Sequence, residues 1–362
     1  MSDTMHVAIG PNNVFTGIIG HQRVMGLLAQ EVEQPSHAYF FVGPVGVGKA
    51  TVARQFAAAL LCGLGSQHEK ACSSCRRVDS GNHPDLIVVE PDGKTSLGVD
   101  QARSTVAVAN LTPVEGDRKV ILFEEAGSMT DQAANVLLKT IEEPTASTVF
   151  ILVSESEDDL PPTIASRCRT VQFGRVRDTD LAEGLVAAGV PAAQAEEVAR
   201  IGGGRPGLAL ALATEPSVAE YRRLWLSIPE RVTDRPGDAF LLADEVMEAA
   251  KPLISSLDAA RHGADETRQE RDKREREVRR ASQALLITGL EILASWYTDA
   301  AVAQFGGTVR NSDVEVTALA MVTPARAVAN ADLVLDSVTA IRSNQRPGLV
   351  LAELFTNLGT GA

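Results

Sequence analysis

Residues 37–61 read HAYFFVGPVGVGKATVARQFAAALL, and this stretch decides the fold class. AYFFV at 38–42 is a short, wholly apolar, aromatic-rich run of the kind that forms a buried strand, and VARQFAAALL at 52–61 is rich in helix formers. Between them stands GPVGVGKA at 43–50. Gly43, Gly46 and Gly48 let backbone N–H groups turn inward around an anion. The N-terminus of the following helix adds partial positive charge, and Lys49 can reach the outer phosphates of a nucleotide. The phosphate-loop pattern G-x-x-x-x-G-K-[ST] breaks at its last position, because Ala50 stands where a hydroxyl would ligate Mg²⁺. Thr51 comes one residue late and about 100° further round the helix.

Three more apolar runs follow: DLIVV at 85–89, KVILF at 119–123 and TVFILV at 148–153. Each is nearly all apolar and the spacers are long enough for helices, so the pattern predicts parallel strands covered on both faces, a doubly wound α/β domain. KVILF runs into Glu124 and Glu125, where a nucleotide hydrolase carries Asp then Glu. The first carboxylate of such a pair holds the metal's water shell and the second activates the attacking water. Glu125 keeps the residue type, whereas Glu124 is one methylene too long. With Ala50 and Glu124 both altered, the expected site binds a nucleotide and handles Mg²⁺ poorly.

Beyond residue 176 the texture turns Ala-rich, in DLAEGLVAAG, AAQAEEVARIGG and LALALATE, and longer helical segments run from Val218 to the end. The predicted domains are 1–176, 177–215 and 216–362. Residues 265–280 hold seven basic and six acidic side chains, whose near-cancelling signs and i, i+4 spacing favour a solvated helix over a nucleic-acid arm. Across 362 residues, 47 Asp plus Glu against 34 Lys plus Arg give a net charge of −13, so any DNA contact must be local. The N-terminus lacks a signal-peptide pattern and no uninterrupted apolar run reaches the ~18 residues of a membrane span, so the expected location is the cytoplasm, without a membrane partner. Cys62, Cys72 and Cys75 are bunched, which fits a metal site in a reduced compartment better than a disulfide framework.

HAYFFVGPVGVGK at 37–49, SGNHPDL at 80–86, AANVLLKTIEEPTASTVFILVSES at 133–156 and LPPTIASRC at 160–168 together resemble the clamp-loader subunits of bacterial DNA polymerase III, members of the AAA+ family. The resemblance covers about residues 14–172. It implies a P-loop ATPase lobe, a small helical lid and a helical collar through which five subunits form an open ring that loads a sliding clamp on primed DNA. Two kinds of subunit share these motifs: the hydrolysing motor, gamma or tau, and the delta-prime type, which usually does not hydrolyse ATP. Ala50 and Glu124 favour the second. The lid points the same way, because a motor carries a nucleotide-sensing arginine where GGGRPGLAL at 202–210 has Gly207, with Arg205 two residues early. The implied partners are gamma/tau motor subunits, a clamp-opening delta subunit, the sliding clamp and, through the ring, primed DNA; the alternative is an active gamma/tau-type motor.

By the same resemblance Arg167 of the SRC motif is an arginine finger acting on a neighbour's ATP, Ser154 holds the sensor position at the end of the fourth strand, and Glu125 is the remnant of the catalytic carboxylate. Arg103 and Lys139 fall on helices that line the ring's chamber. Gly43, Gly46, Gly48, Lys49 and Thr51 form the nucleotide loop, with ATP or ADP binding weak or vestigial. The family carries a four-cysteine zinc module, of which Cys62, Cys72 and Cys75 match three positions. The remaining one falls on Glu69, beside His68, and Cys₃His is an accepted structural zinc shell. Cys168 is expected to be a small buried side chain.

Overall fold

Five strands pair in parallel in the order β2-β3-β4-β1-β5, in a computed structural model that describes residues 15–63, 72–91, 96–259, 268–343 and 345–360, without the side chains of 255–274, 276 and 277. In chain order the first elements are α1 (Gln22–Glu31), β1 (Ala38–Val42), α2 (Lys49–Leu61), α3 (Ser73–Asp79), β2 (Leu86–Val89), α4 (Val99–Ala109) and β3 (Lys119–Phe123). Next come α5 (Asp131–Glu142), β4 (Thr148–Ser154), α6 (Pro162–Ala165) and β5 (Arg169–Gln172). Alternate residues of each strand feed opposite cores: Tyr39, Phe41, Leu122 and Ile151 pack with Val52 and Phe56 of α2, while Phe40, Phe123 and Leu152 pack with Ala102 of α4 and Leu137 of α5. Burial on both faces is why the four apolar runs show no polar alternation. The fifth strand, RTVQ, carries no such signal, because at the sheet's edge only Val171 is buried.

The helical stretch after residue 176 forms α7 (Asp178–Ala187), α8 (Ala192–Gly202) and α9 (Pro206–Thr214). The chain divides into two compact units, Met1–Leu210 and Ala211–Ala362, so most of the predicted lid segment 177–215 lies in the first. The second unit is helical: α10 (Pro216–Arg231), α11 (Pro236–Ala259), α12 (Arg268–Ala303), α13 (Val316–Leu319), α14 (Pro324–Arg342) and α15 (Pro347–Thr360). Its core gathers Trp225, Trp296, Tyr297 and Phe355. Gly289 of α12 is required there, since a Cβ would lie 1.9 Å from the Trp225 ring. The charged stretch at 268–280 is the first part of α12, and 265–267 lie outside the described residues. Within α12, Val278–Ala303 is long and apolar enough to cross a membrane by length and composition alone. Half of its most apolar window is buried, and Leu286, Leu290, Leu293, Trp296 and Ala300 belong to the helical core.

SGNHPDL acts at the amino edge of the sheet, away from the phosphate loop. The buried Asp85 carboxylate accepts N–H groups of Val114 (2.6 Å), Glu115 (2.9 Å) and Gly116 (3.3 Å). Lys119 is buried too, and its ammonium donates to the carbonyls of Val108 (3.0 Å) and Leu111 (3.1 Å) at the end of α4. Burial works to raise the Asp85 carboxyl's pKa, but the three donors outweigh it and hold the carboxyl below its ordinary range. Its stabilisation is therefore complete above the unfolded value near 4 and is lost as pH falls through the lower native one. Asp85→Asn should cost roughly 2 kcal/mol at neutral pH, and chemical denaturation should show the gap to wild type closing in acid. A gap that persists in acid would show that the charge is not what the loop uses.

Candidate functional site

Parallel pairing brings the ends of β1, β3 and β4 to one edge. Val42 of β1 pairs with Ser154 of β4 on one side and Gln172 of β5 on the other, and Phe123 of β3 pairs with Leu152. The loop 43–48, Glu124, Glu125 and Ser154 are thereby gathered at the carboxyl edge, where doubly wound proteins bind ligands. Gly43 must be glycine: its φ is 151°, and a Cβ would meet the Phe173 carbonyl oxygen at 2.1 Å. Gly48 caps α2 with φ 100°, which turns the chain into the helix. His21, itself left-handed at φ 56°, has its Nε2 2.7 Å from the Val47 carbonyl and braces the loop from outside.

Lys49 is buried, and its Nζ donates to the carbonyls of Gly43 (2.6 Å) and Pro44 (2.7 Å). Thr51 is exposed, in keeping with its rotation away from the loop. On the metal side, Ala50 offers no oxygen, and both carboxylate oxygens of Glu124 are engaged by Arg54 of α2, Oε2 at 2.9 Å from Nη2 and Oε1 with Nε. These donors do not fit the Mg²⁺ that a P-loop hydrolase uses. Glu125 is exposed at the start of a short 3₁₀ turn over Ala126–Ser128. Ser154 is buried and donates to Asp159 (2.5 Å), whose carboxylate also accepts the N–H groups of Glu155 and Ser156.

Arg54 escaped the sequence reading, although its i, i+4 relation to Ala50 puts both on one face of α2. The resemblance matches Gly207 to the lid arginine of a motor; a Cβ on Gly207 would meet nothing within 4 Å, and the Arg205 methylenes lie 3.1–3.6 Å from where a Gly46 Cβ would stand. Arg205 is buried, with Nε donating to the Gly202 carbonyl at 3.2 Å. A lid arginine therefore does reach the phosphate loop.

Arg167 lies in the turn between α6 and β5, before the amino end of the strand that pairs with β1, whereas the loop 43–48 follows the carboxyl end of β1. Its guanidinium donates to the Thr163 carbonyl (2.8 Å) and pairs with Glu142, which belongs to the LLKTIEEP motif. Arg103 is exposed beside Asp100 (3.6 Å), and Lys139 is exposed on α5.

The sulfurs of Cys62, at the end of α2, and of Cys72 and Cys75, at the start of α3, all lie within 4.8 Å of one another. Cys62 and Cys72 are 3.7 Å apart, close to the ~3.8 Å edge of a tetrahedron with ~2.3 Å Zn–S bonds. The three thiols fit zinc. His68 and Glu69 lie outside the described residues. Cys168 is partly buried, and burial pushes its thiol up to about 12.

Residues 20–177 match the family model described as DNA polymerase III, delta subunit. DNA polymerase III subunit delta' of Bacillus subtilis is 33% identical over 62% of this chain and 68% of its own length. The corresponding Pseudomonas aeruginosa subunit is 43% identical over 37% of this chain and 42% of its length. Among solved structures, a DNA polymerase III gamma-subunit-related protein from Thermotoga maritima aligns over 92% of this chain and 97% of its own, with 17% identity and a TM-score of 0.43. The identity to the Bacillus protein, spread over more than two thirds of its length, and the family match across the whole P-loop lobe together show that this chain belongs to the DNA polymerase III delta-prime family of clamp-loader subunits.

Proposed function

We propose that this chain is a non-hydrolysing, delta-prime-type member of a five-subunit clamp-loader ring. In that ring it sits with gamma/tau motor subunits and a clamp-opening delta subunit, and the assembly places a sliding clamp on primed DNA in the cytoplasm. The observation that carries the non-hydrolysing role is the donor set beside the loop. Gly43, Gly46, Gly48 and Lys49 can hold phosphates, but Ala50 brings no metal ligand and Glu124 is committed to Arg54. Without a metal to bridge the outer phosphates, Glu125 has no activated water to work on. Nucleotide then serves as a bound ligand only. A second reading, an active gamma/tau-type motor, draws on the placement of Lys49 and Arg205 at the loop; it requires metal donors that Ala50 and Glu124 do not supply.

Arg167 is proposed as the group given to the neighbour. Thr163 and Glu142 hold its guanidinium in the turn after α6, and a guanidinium fixed there stabilises charge on a phosphate bound by another subunit. Cys62, Cys72 and Cys75, with His68 as the fourth candidate, would hold a structural zinc that ties the end of α2 to the start of α3. Bound there, zinc supplies stability and no chemistry.

Phosphate release by the purified chain should stay well below the ~1 s⁻¹ low end of ordinary enzymes, and turnover near that rate would establish the motor reading instead. Elemental analysis should find one zinc per chain, and Cys72→Ser should release it because a closed four-ligand shell loses a corner; metal-free protein whose thermal stability ignores chelation argues against the site. In rings assembled with motor subunits, Arg167→Ala should leave assembly intact. Hydrolysis at the adjoining site should fall by up to ~10³-fold, with no rescue by Arg167→Lys, whose ammonium lacks the planar fork. Unchanged DNA-stimulated hydrolysis by such rings would make Arg167 structural.

A further inference from the structure

We propose that Arg54 is a resident cation standing in for Mg²⁺, so that the phosphate loop of this chain binds nucleotide without a divalent ion. The inference rests on the nucleotide-binding reading above and names the device that makes such binding work.

Three observations converge on it. Ala50 and Arg54 are one turn apart on the same face of α2, so the face that would present a metal-ligating hydroxyl presents a guanidinium one turn further along. That guanidinium meets the carboxylate at the end of β3, where a hydrolase holds its metal, through Nε and Nη2 on both oxygens of Glu124. Its Nη1 makes no hydrogen bond to any described residue, and the side chain is 41% exposed, which leaves a donor free for a phosphate oxygen.

The charges explain why such a substitute is needed. An uncompensated Glu124 carboxylate at the loop's edge would repel incoming phosphates, and Glu90 and Asp79 add to the negative potential around Arg54. A metal site cancels this with a divalent ion. Here one guanidinium, charged at every physiological pH, neutralises Glu124 in a fixed fork, so that the Lys49 charge, held on the Gly43 and Pro44 carbonyls, is not opposed at the loop by Glu124. Binding is then weaker than at a metal-assisted loop and indifferent to Mg²⁺. The longer side chain of Glu124, which the sequence presents only as a misfit for metal, gives the carboxylate added reach toward α2.

Calorimetric titration of the full chain with ADP and with ATP, in excess Mg²⁺ and in EDTA, tests this. Wild-type Kd should differ by less than about threefold between the two conditions. Arg54→Gln should weaken binding in EDTA by roughly tenfold, the effect of one partly screened charge beside a phosphate, and Mg²⁺ should restore part of it because Glu124 is then free. Glu124→Gln separates the proposal from a purely structural ion pair. It breaks the same pair but leaves the cation, so affinity in EDTA should hold or improve. Equal losses in both variants, or a tenfold or greater gain with Mg²⁺ in wild type, would overturn the proposal. If Arg54→Gln fails to fold, the wild-type comparison and Glu124→Gln still decide. Wild type that takes up neither nucleotide under either condition overturns the nucleotide-binding reading itself, and this inference with it.

Discussion

The seam on which the site depends is the pairing of β1 with strands on both its sides. Val42 is hydrogen-bonded into β4 and β5 at once, and the Phe173 N–H donates to its carbonyl at 2.8 Å. The chain leaving β1 therefore emerges against the Phe173 backbone with no room for a side chain, which is what makes Gly43 obligatory. Every later feature of the loop follows from that exit: the left-handed turn at Gly48, the entry into α2, and the burial of Lys49 under the loop carbonyls. Close packing on both faces of the sheet removes the slack that would let the loop adopt another path.

Around this frame, arginines do much of the electrostatic work. Arg54 engages Glu124, Arg167 engages Glu142, and Arg205 leans its methylenes on Gly46. Each joins segments far apart in sequence; Arg54 and Arg167 do so with two guanidinium nitrogens, a planar fork whose charge does not titrate, and Arg205 does so through its apolar stem. In the second unit Arg222 does the same for the fold, buried and bonded to Asp313 and to Asn311 (2.7 Å). There the carboxylate of Asp299 receives the backbone N–H groups of Arg310 (2.8 Å) and Asn311 (2.7 Å), while Arg222 Nε and the Trp225 indole N–H are buried without a hydrogen-bond partner among the described residues.

The parallel α/β lobe could be read directly from the chain because strands buried on both faces are apolar at nearly every position, as AYFFV, KVILF and TVFILV are, with Lys119 and Thr148 as the buried polar residues at the starts of the last two. The phosphate loop was equally legible, since its glycines and lysine answer to local backbone geometry. The edge strand RTVQ was not, because it keeps only Val171 buried, unlike β2 at the other edge, whose four apolar residues reach both cores. The cysteine cluster was legible as a spacing, and three-dimensional packing then brought the three sulfurs together.

What the amino-acid sequence by itself determined is therefore what depends on local geometry and on full burial: the sheet, the loop, the helical second half and the loss of a hydroxyl at Ala50. Tertiary structure alone decided which charges meet. Arg54 and Glu124 are 70 residues apart and Arg167 and Glu142 are 25 apart, and no periodicity links such positions. The lid shows the same limit: family resemblance matches the lid position to Gly207, and only the packing places the Arg205 methylenes against Gly46. An arginine's reach is several ångströms in a direction set by the packing around its stem, so its partner is fixed only when the elements carrying both are in place.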